Sequence, residues 1–222
     1  MALVLSGALS MGGSTADRSI NCELGLSGTA QISLNDAAVR SLAGVPSGAI
    51  SIDDFYGASA GPSTLGEVFE GGYYTGTITA ASSNYFLILS PNATGCACCQ
   101  WKTTQTDSGM PTDLVNGYNN TYTYLANADH PAGNFTATRS INGFVDWYLP
   151  AQDEVTQMVT NKASMPAGQG YPGFPDRDYW TSTEPAVANY QACCTNTGFV
   201  GFFREEPKNV TLRLRSVRRE PF

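Results

Sequence analysis

Apolar and polar residues alternate over several short stretches in the first 60 residues of the chain. The clearest copies are SGALSM (6–11) and SGAISI (47–52), and a looser third copy is SGTAQISL (27–34). Alternation of this kind predicts short strands, because successive side chains of a strand point to opposite faces. Two copies run into Ser and then Asp, in ISLND (32–36) and ISIDD (50–54), which is typical of a residue that caps the start of a helix.

One helix is clearly predicted in this part of the chain. Residues 34–43 carry apolar residues at helical spacing, Ser33 can cap the first turn, and Gly44 can end the helix in the left-handed conformation. Asp36 would then lie in the first turn, near the positive end of the helix dipole. A unit of this size buries too little apolar area to be very stable alone, so we expect it to pack against copies of itself or against a larger body.

Beyond a linker of small residues at 57–64, the chain is richer in aromatic residues and in strand patterns. The predicted strands are 71–78, 85–90, 179–184, 198–203 and 211–217. A second helix is predicted at 153–163, where apolar residues recur at helical spacing behind Pro150. We expect 107–130 and the Gly- and Pro-rich 164–177 to be irregular.

Positive charge is concentrated at the end of the chain. Residues 204–222 hold six basic and three acidic side chains, whereas the whole chain has 12 Lys and Arg against 19 Asp and Glu. Alternation predicts that Leu212 and Leu214 lie in the core of a strand here. Arg213 and Arg215 would then face outward. We expect this basic segment to dock onto an acidic body, with its arginines paired there.

The composition argues against several classes of protein. Charged residues make up 14% of the 222 residues, below the roughly 25% of an ordinary soluble domain. Secreted adhesins, lectin-like modules and virion proteins often have such surfaces of small neutral polar groups. The net charge of −7 argues against nucleic-acid binding, and no apolar run has the roughly 18 residues of a membrane helix. A single His argues against histidine-dependent acid–base or zinc chemistry.

Three later segments form an ordered pattern: GFVDWYLPAQDEV (143–155), YWTSTE (179–184) and VRR (217–219). In this order and spacing they resemble the Lcl C-terminal (DUF1566-like) family, and the resemblance covers most of 66–222. It implies a C-type-lectin-like fold, in which terminal strands pair, helices flank a twisted, mostly antiparallel sheet, and loops display a ligand surface. The residues that carry this fold signature are Asp146, Trp147, Leu149, Pro150, Glu154, Tyr179, Trp180, Glu184 and Arg218.

The segment ELGLSGTAQISLNDAAVRSLAGVPSGAISIDDFYG (23–57) is similar to the N-terminal segment of many tailed-phage structural proteins. That resemblance implies a module that anchors varied C-terminal domains to a virion. The two resemblances together predict an α+β protein with a small N-terminal α/β adaptor at 1–60, a linker at 61–65 and a C-type-lectin-like domain at 66–222. The family often has a longer insertion where this chain has the loop 164–178, which favours a compact structural role.

The cysteines fall into two clusters and one isolated residue. They are Cys96, Cys98 and Cys99, then Cys193 and Cys194, with Cys22 alone. Disulfides between the two clusters, or free buried thiols, are the favoured interpretation, because a virion works outside the reducing cytosol. A soft metal such as zinc and cysteine catalysis are the alternatives, although zinc sites more often use two CxxC pairs. We expect neither a metal nor a cofactor.

Carboxylates and aromatic residues supply the remaining candidates. Asp153 and Glu154 are the residue types that glycosidases use, but adjacent positions on a helix point about 100° apart, so they serve the helix dipole. The Trp and Tyr residues of the signature could stack on sugars, but core packing is favoured. The candidate ligand contacts are Asn116, Tyr118, Asn119, Tyr122, Asn189, Tyr190 and Gln191, in polar and aromatic loops.

We therefore expect a non-enzymatic bacteriophage virion protein, associated with the tail or a fibre, that attaches to a host-surface glycan or protein. Residues 1–60 would bind other virion proteins and form a homo-oligomer, with a trimer favoured, and neither nucleic acid nor membrane insertion is expected. Two alternatives remain. One is a capsid decoration, cement or baseplate component without a ligand, and the other is an enzyme, because the broad lectin-like fold also includes formylglycine-generating proteins.

Overall fold

The structure is a computed structural model that describes residues 3–58, 60–109, 111–162, 175–187 and 190–222. The chain divides into two compact units, Met1–Gly61 and Pro62–Phe222. Its secondary structure is mixed, with 22% helix and 25% strand in antiparallel sheets, which is compatible with the α+β class. One short parallel pairing, between Tyr179 and Arg213, interrupts the antiparallel pattern.

Short helices build the first unit. They are α1 (Ile20–Glu23), α2 (Ala37–Leu42) and a 3-10 helix at Ile52–Phe55. Their apolar sides meet in a single core, which consists of Leu3, Ile20, Val39, Leu42 and Phe55. All five side chains are buried, so this unit has a hydrophobic core of its own.

The alternating copies in this unit do not form strands. Two of them begin with a bend, at Gly7 and Gly48, whose φ angles are +98° and +89°. Among the described residues of the unit, the only β-bridge joins Ser10 to Ser19. The prediction of strands here is therefore wrong.

The Ser and Asp that follow two of the copies make the same hydrogen bond in each. The Ser33 N–H donates to Asp36 Oδ2 at 2.7 Å, and the Ser51 N–H donates to Asp54 Oδ2 at 2.7 Å. At residues 51–54 this bond belongs to a capping box. In the other copy Asp36 becomes the N-cap of α2, so the helix begins three residues later than the predicted position 34.

The second unit contains two sheets. Their strands are β1 (Val68–Phe69), β2 (Gly72–Ala80), β3 (Ser83–Leu89), β4 (Cys96–Gln100), β5 (Asp178–Trp180), β6 (Gln191–Asn196), β7 (Phe203–Pro207), β8 (Thr211–Arg215) and β9 (Val217–Pro221). The first sheet has the order β1-β2-β3-β9, and the second has the order β4-β8-β5-β6-β7. Only Ser216 separates β8 from β9, so the end of the chain links the two sheets.

The hairpin of β2 and β3 confirms the strands predicted at 71–78 and 85–90. Tyr74 lies opposite Ile88, and a bulge follows at Gly76, where φ is +124°. Helix α6 (Gln152–Asn161) packs on β2 and confirms the helix predicted at 153–163. Its buried side consists of Glu154, Val155, Met158 and Val159.

The remaining helices are α3 (Asn92–Gly95), α4 (Gly117–Asn120) and α5 (Pro131–Ala137). Helix α4 continues into one π-helical turn at Thr121–Leu125, so the prediction that 107–130 is irregular is wrong for part of that range. Pro131 occupies the first turn of α5, where the missing N–H has no helical partner.

Two of the predicted strands end differently. Strand β5 stops at Trp180. The next residues stay buried and remain hydrogen-bonded to β6: the Thr181 N–H donates to Cys193 O, and the Cys193 N–H donates to Thr183 O, both at 3.0 Å. Residues 198–202 form the turn between β6 and β7 instead of a strand. The two glycines of this turn, Gly198 and Gly201, favour reversal of the chain.

Arg215 is buried, against the prediction that it faces outward. Its Nε donates to Ser90 O at 3.0 Å and its Nη1 donates to Asn92 Oδ1 at 3.2 Å. The alternation fails here because the chain passes from one sheet to the other, where residues 90–95 cover it. Leu214 is buried as predicted.

Acidic partners lie beside two further basic residues near the chain end. Arg204 Nη2 lies 2.9 Å from Asp178 Oδ2, and Arg218 Nε lies 2.9 Å from Asp146 Oδ1. Strand β9, which carries Arg218, pairs with β3 in antiparallel register. The docking of this basic segment on the body is confirmed, and the pairing of its basic residues with carboxylates is confirmed for Arg204, Lys208 and Arg218.

Candidate functional site

The aromatic residues of the fold signature lie in the core. The buried aromatic members of the signature segments are Trp147, Tyr148, Tyr179 and Trp180. The preference for core packing over sugar stacking is therefore confirmed for these Trp and Tyr residues. They position the chain around the candidate site without presenting a ring face to a ligand.

Glu154 is fully buried at the start of α6 and joins three segments. Its Oε2 accepts hydrogen bonds from Ala151 N at 2.7 Å and Gly117 N at 3.2 Å, and its Oε1 accepts one from the Tyr148 hydroxyl at 2.6 Å. Burial raises the pKa of Glu154 to about 7, and these hydrogen bonds offset only part of that effect. The adjacent Asp153 is exposed, so the two carboxylates do not face each other.

Gly117 begins α4, and two tyrosines lie side by side on the outer face of α4 and the π-helical turn that follows it, with their rings tilted by 41°. The ring centroids of Tyr118 and Tyr122 lie 4.6 Å apart, and both side chains are more than a third exposed. The Cζ atom of Arg219, on β9, lies 5.1 Å from the ring centroid of Tyr118 and 4.3 Å from the ring centroid of Tyr85. Its Nη1 also donates to Asn116 Oδ1 at 3.0 Å. These five residues (Tyr85, Asn116, Tyr118, Tyr122 and Arg219) are called the tyrosine–arginine surface below.

The groups of this surface are held in fixed positions. The Tyr122 hydroxyl shares its proton between two carbonyl oxygens, Val145 O at 3.2 Å and Trp147 O at 3.1 Å, and this contact fixes the position of the ring. Burial raises the pKa of Tyr122 to about 12, so this hydroxyl keeps its proton and remains a donor. Within the described ranges, no carboxylate oxygen lies within 4.0 Å of Arg219, unlike Arg218 beside it.

This arrangement can bind a ring-shaped polar ligand. The exposed tyrosine faces offer stacking area to the C–H face of a sugar or to an aromatic side chain. The guanidinium of Arg219 is planar and presents several donors, so it can bind hydroxyl or carbonyl oxygens of the same ligand. Because Arg219 is held by two rings, little conformational freedom is lost on binding.

The other predicted ligand residues do not belong to this surface. Asn119 is exposed beside it on α4, where its Oδ1 accepts from the Thr123 hydroxyl at 3.1 Å. Tyr190 and Gln191 lie at the start of β6 in the other sheet, with Gln191 opposite Pro207. Asn189 lies outside the described residues. The structure thus brings together Asn116, Tyr118, Asn119 and Tyr122, and adds Tyr85 and Arg219.

All six cysteines are free thiols. The two clusters lie on β4 and β6, and the sheet order places β8 and β5 between these strands. Three strand spacings separate the clusters by roughly 14 Å, well beyond the ~7 Å limit for the Cα atoms of a disulfide. The sheet therefore does not permit the predicted disulfide between Cys96, Cys98 or Cys99 and Cys193 or Cys194. Burial raises the pKa of Cys194 to about 12, which keeps it an unreactive thiol.

Glu184 of the fold signature belongs to a second group, called the buried polar chain below. Glu184 forms a fully buried ion pair with Lys208, and Lys208 Nζ donates to Ser108 Oγ at 3.2 Å. Ser108 Oγ lies 2.8 Å from His130 Nε2, and His130 Nδ1 lies 2.8 Å from Asn127 Oδ1. The composition argued against chemistry at the single histidine. The five residues come from four separate segments, since only Asn127 and His130 are close in sequence, and no spacing signals that the four segments meet.

An exposed apolar turn lies between β6 and β7. Phe199, Val200 and Phe202 are between 49% and 65% exposed, and the two phenylalanine rings meet edge to face with centroids 6.1 Å apart. Apolar side chains grouped at a turn are unusual on a charge-poor body, and such patches often mark contacts with another protein.

Comparison with known proteins adds no family. No protein-family model matches the chain, and no curated protein sequence matches it. Within the described ranges, no helix is long and apolar enough to cross a membrane. The same ranges contain no group of three or more His, Cys, Asp or Glu residues arranged to hold a metal ion.

Proposed function

We propose that the protein is a structural component of a bacteriophage virion, associated with the tail or a fibre. In this proposal residues 66–222 form a C-type-lectin-like domain that attaches to a glycan or protein of the host surface. Residues 1–60 bind other virion proteins and form a homo-oligomer, with a trimer favoured. The protein is assembled in the host cytoplasm and carried on the mature particle.

The tyrosine–arginine surface is the observation that carries the proposal. It combines exposed ring faces with a cation that has no acidic partner among the described residues, on a body that otherwise has few charges. The supporting features of the fold are the pairing of β9 with β3 and the helix α6 that flanks β2. These features are compatible with the α+β class, and the lectin-like architecture remains part of the proposal.

A weak individual site is sufficient for attachment by a virion. Two neighbouring tyrosines and one arginine offer a small contact area, so a single copy would bind with modest affinity. Several copies held in one particle convert later binding events into intramolecular ones and raise the avidity by roughly 10²–10⁴. The proposal therefore requires the oligomer, and attachment of this kind requires no turnover.

A decoration, cement or baseplate role is the second candidate. The exposed turn with Phe199, Val200 and Phe202 favours it, because such a patch is better suited to burial between subunits than to lasting exposure. In that case the turn would be covered in the particle and the tyrosine–arginine surface would have no ligand.

Binding of the purified full chain to cells of the host bacterium tests the proposal. The chain is labelled with a fluorophore and titrated as wild type, as Tyr118→Ala and as Phe199→Ala. We expect Tyr118→Ala to weaken binding at least fivefold, since an aromatic contact of about 1 kcal/mol is lost at each site. We expect Phe199→Ala to bind as the wild type does.

The two variants separate the two candidate functions. A wild-type chain that fails to bind, or a Tyr118→Ala chain that binds equally well, would contradict attachment through this surface. Loss of incorporation into particles by Phe199→Ala, with Tyr118→Ala incorporated normally and no host binding, would favour the decoration or baseplate role. Circular dichroism of each variant checks that the fold is retained.

A further inference from the structure

Attachment to a host surface leaves the buried polar chain without a role. Its centre is Ser108, whose Oγ lies 2.8 Å from His130 Nε2, while His130 Nδ1 lies 2.8 Å from Asn127 Oδ1. A hydroxyl beside an imidazole, with the other ring nitrogen held by a third group, is the arrangement that activates a nucleophile.

The hydrogen bonds of Asn127 fix the direction of proton transfer. Its Nδ2 donates to Tyr124 O at 2.8 Å, and its Oδ1 accepts from Asp129 N at 3.1 Å, which directs the amide oxygen towards His130. An amide oxygen only accepts, so His130 Nδ1 carries the proton and Nε2 presents a lone pair. The Ser108 hydroxyl therefore donates to Nε2, and Asn127 is a positioning residue.

Lys208 adds a positive charge next to the hydroxyl. Its Nζ lies 3.2 Å from Ser108 Oγ and is balanced by Glu184, whose carboxylate also accepts from the Ser108 N–H. A cation at this distance stabilises negative charge that develops on Oγ. Ser108 is half-buried, and its neighbours Asp107 and Gly109 are exposed.

We infer that Ser108 is a nucleophile that accepts the acyl group of an ester, with His130 as its general base. Oγ attacks the ester carbonyl carbon and its proton passes to Nε2. The bond from that carbon to the alcohol oxygen then breaks, and the proton moves from Nε2 to the departing oxygen. Water repeats the two steps on the acyl-serine and releases a carboxylic acid and free Ser108. This activity goes beyond attachment and would contradict the expectation that the protein is not an enzyme.

The charges around His130 select the class of ester. Burial and the positive charges of Lys102 and Lys208 lower the pKa of His130 to about 4, and the carboxylate of Asp129 acts against them. A weak base activates a hydroxyl only modestly, so the carbonyl carbon must itself be electrophilic. Esters with good leaving groups meet this requirement, whereas amides do not.

Labelling with a fluorophosphonate tests the inference without knowledge of the natural substrate, because this reagent modifies activated serines. The purified full chain is incubated with the probe, and the adduct is located by peptide mass spectrometry. We expect one adduct, on Ser108, and none in Ser108→Ala. We expect His130→Gln to slow labelling at least ~10-fold, because a weak base still assists the attack but contributes less than the roughly 10²–10⁴ of a base whose pKa lies near 7. Thr104→Ala, in the same exposed loop, is the matched control and should label at the wild-type rate.

The pH dependence of the labelling rate gives a second test, which is measured first on the wild-type chain. With His130 as the base, the rate should be level from about pH 5 to 8 and fall about tenfold per unit below its pKa. An unassisted serine would instead react faster by about tenfold per unit across that range. Asn127→Asp should move the fall to higher pH, because a carboxylate stabilises the imidazolium.

Three results would each overturn the inference. They are a folded protein that forms no adduct on Ser108, equal labelling of several exposed serines, and a rate that climbs steadily from pH 5 to 8. None of these results bears on host-cell binding through Tyr118, so the two experiments succeed or fail separately.

Discussion

At the scale of single residues, the ion pair between Lys208 and Glu184 is expected to contribute strongly to stability. Both side chains are 0–1% exposed, so losing either partner leaves a buried charge unpaired. Lys208→Met would leave a carboxylate buried without its cation. We expect the free energy of unfolding at pH 7 to fall by about 3–5 kcal/mol, measured by urea denaturation. Burial raises the pKa of Glu184, and the loss should shrink at low pH, where that carboxyl is protonated.

Lys162 provides the matched control for this substitution. It forms an ion pair with Asp176, whose side chain is 65% exposed. Lys162→Met should therefore cost no more than about 1 kcal/mol. Equal losses in the two variants would contradict the assignment of a buried, structurally required pair.

Glu154 makes stability depend on pH in a defined direction. Its pKa rises from 4.5 to about 7 on folding, so the folded protein binds the proton more tightly than the unfolded chain. A carboxyl with a raised pKa favours folding at low pH, and this contribution is lost as pH rises from about 4.5 to about 7. Glu154→Gln keeps an acceptor but cannot ionise. Its free energy of unfolding should therefore rise by about 3 kcal/mol relative to that of wild type between pH 4.5 and pH 8.

Urea denaturation of both proteins at several pH values measures this difference. His130, whose pKa is lowered on folding, changes stability in the opposite sense, but it is present in both proteins and cancels in the comparison. A difference that stays constant over this range would show that Glu154 is not the titrating group.

At the scale of elements, the tyrosine–arginine surface depends on how closely α4 approaches α6. A Cβ at Gly117 would lie 2.6 Å from Ala151 N and 2.7 Å from Leu149 O, both backbone atoms that cannot move aside alone. We expect Gly117→Ala to shift α4, to change the near-ultraviolet circular dichroism of the tyrosines, and to lower the unfolding free energy by about 1–3 kcal/mol.

Gly143→Ala is the control for that substitution. Gly143 has a φ of +89°, and a Cβ added there would meet no other atom within 4 Å, so the variant introduces backbone strain without displacing a helix. It should leave the tyrosine signal unchanged. An unaltered signal in Gly117→Ala would contradict the close seating of α4.

Elements differ in how far the sequence alone predicts them. The β2–β3 hairpin and α6 carry periodic apolar residues and were predictable. Helix α4 was not, because the buried side of GYNNTYTYL is largely polar and is satisfied by specific partners. Asn120, for example, donates to Asp113 O at 2.7 Å and to Ser182 Oγ at 3.2 Å. A hydrophobic pattern cannot report a helix whose inner face is hydrogen-bonded.

The candidate site was predictable only where its residues are close in sequence. Asn116, Tyr118, Asn119 and Tyr122 fall in one polar and aromatic segment. Tyr85 and Arg219 reach them only through the pairing of β3 with β9, which places Tyr85 opposite Pro221. Contacts between distant strands depend on register, and no local pattern encodes them.

At the scale of the whole molecule, each of the two units has a hydrophobic core of its own. We expect residues 62–222, produced alone, to unfold cooperatively at nearly the midpoint seen for this unit in the full chain. Differential scanning calorimetry of both proteins measures this. The first unit is small and should contribute a weaker transition. A fragment without a cooperative transition would contradict the division into two units.

Negative-stain imaging of phage particles labelled with an antibody to residues 66–222 tests the proposed function most directly. If the protein is a displayed attachment component, the antibody should decorate intact particles at regular positions on the tail or a fibre. Absence of label from intact particles, together with absence of the chain from purified virions, would contradict the proposal.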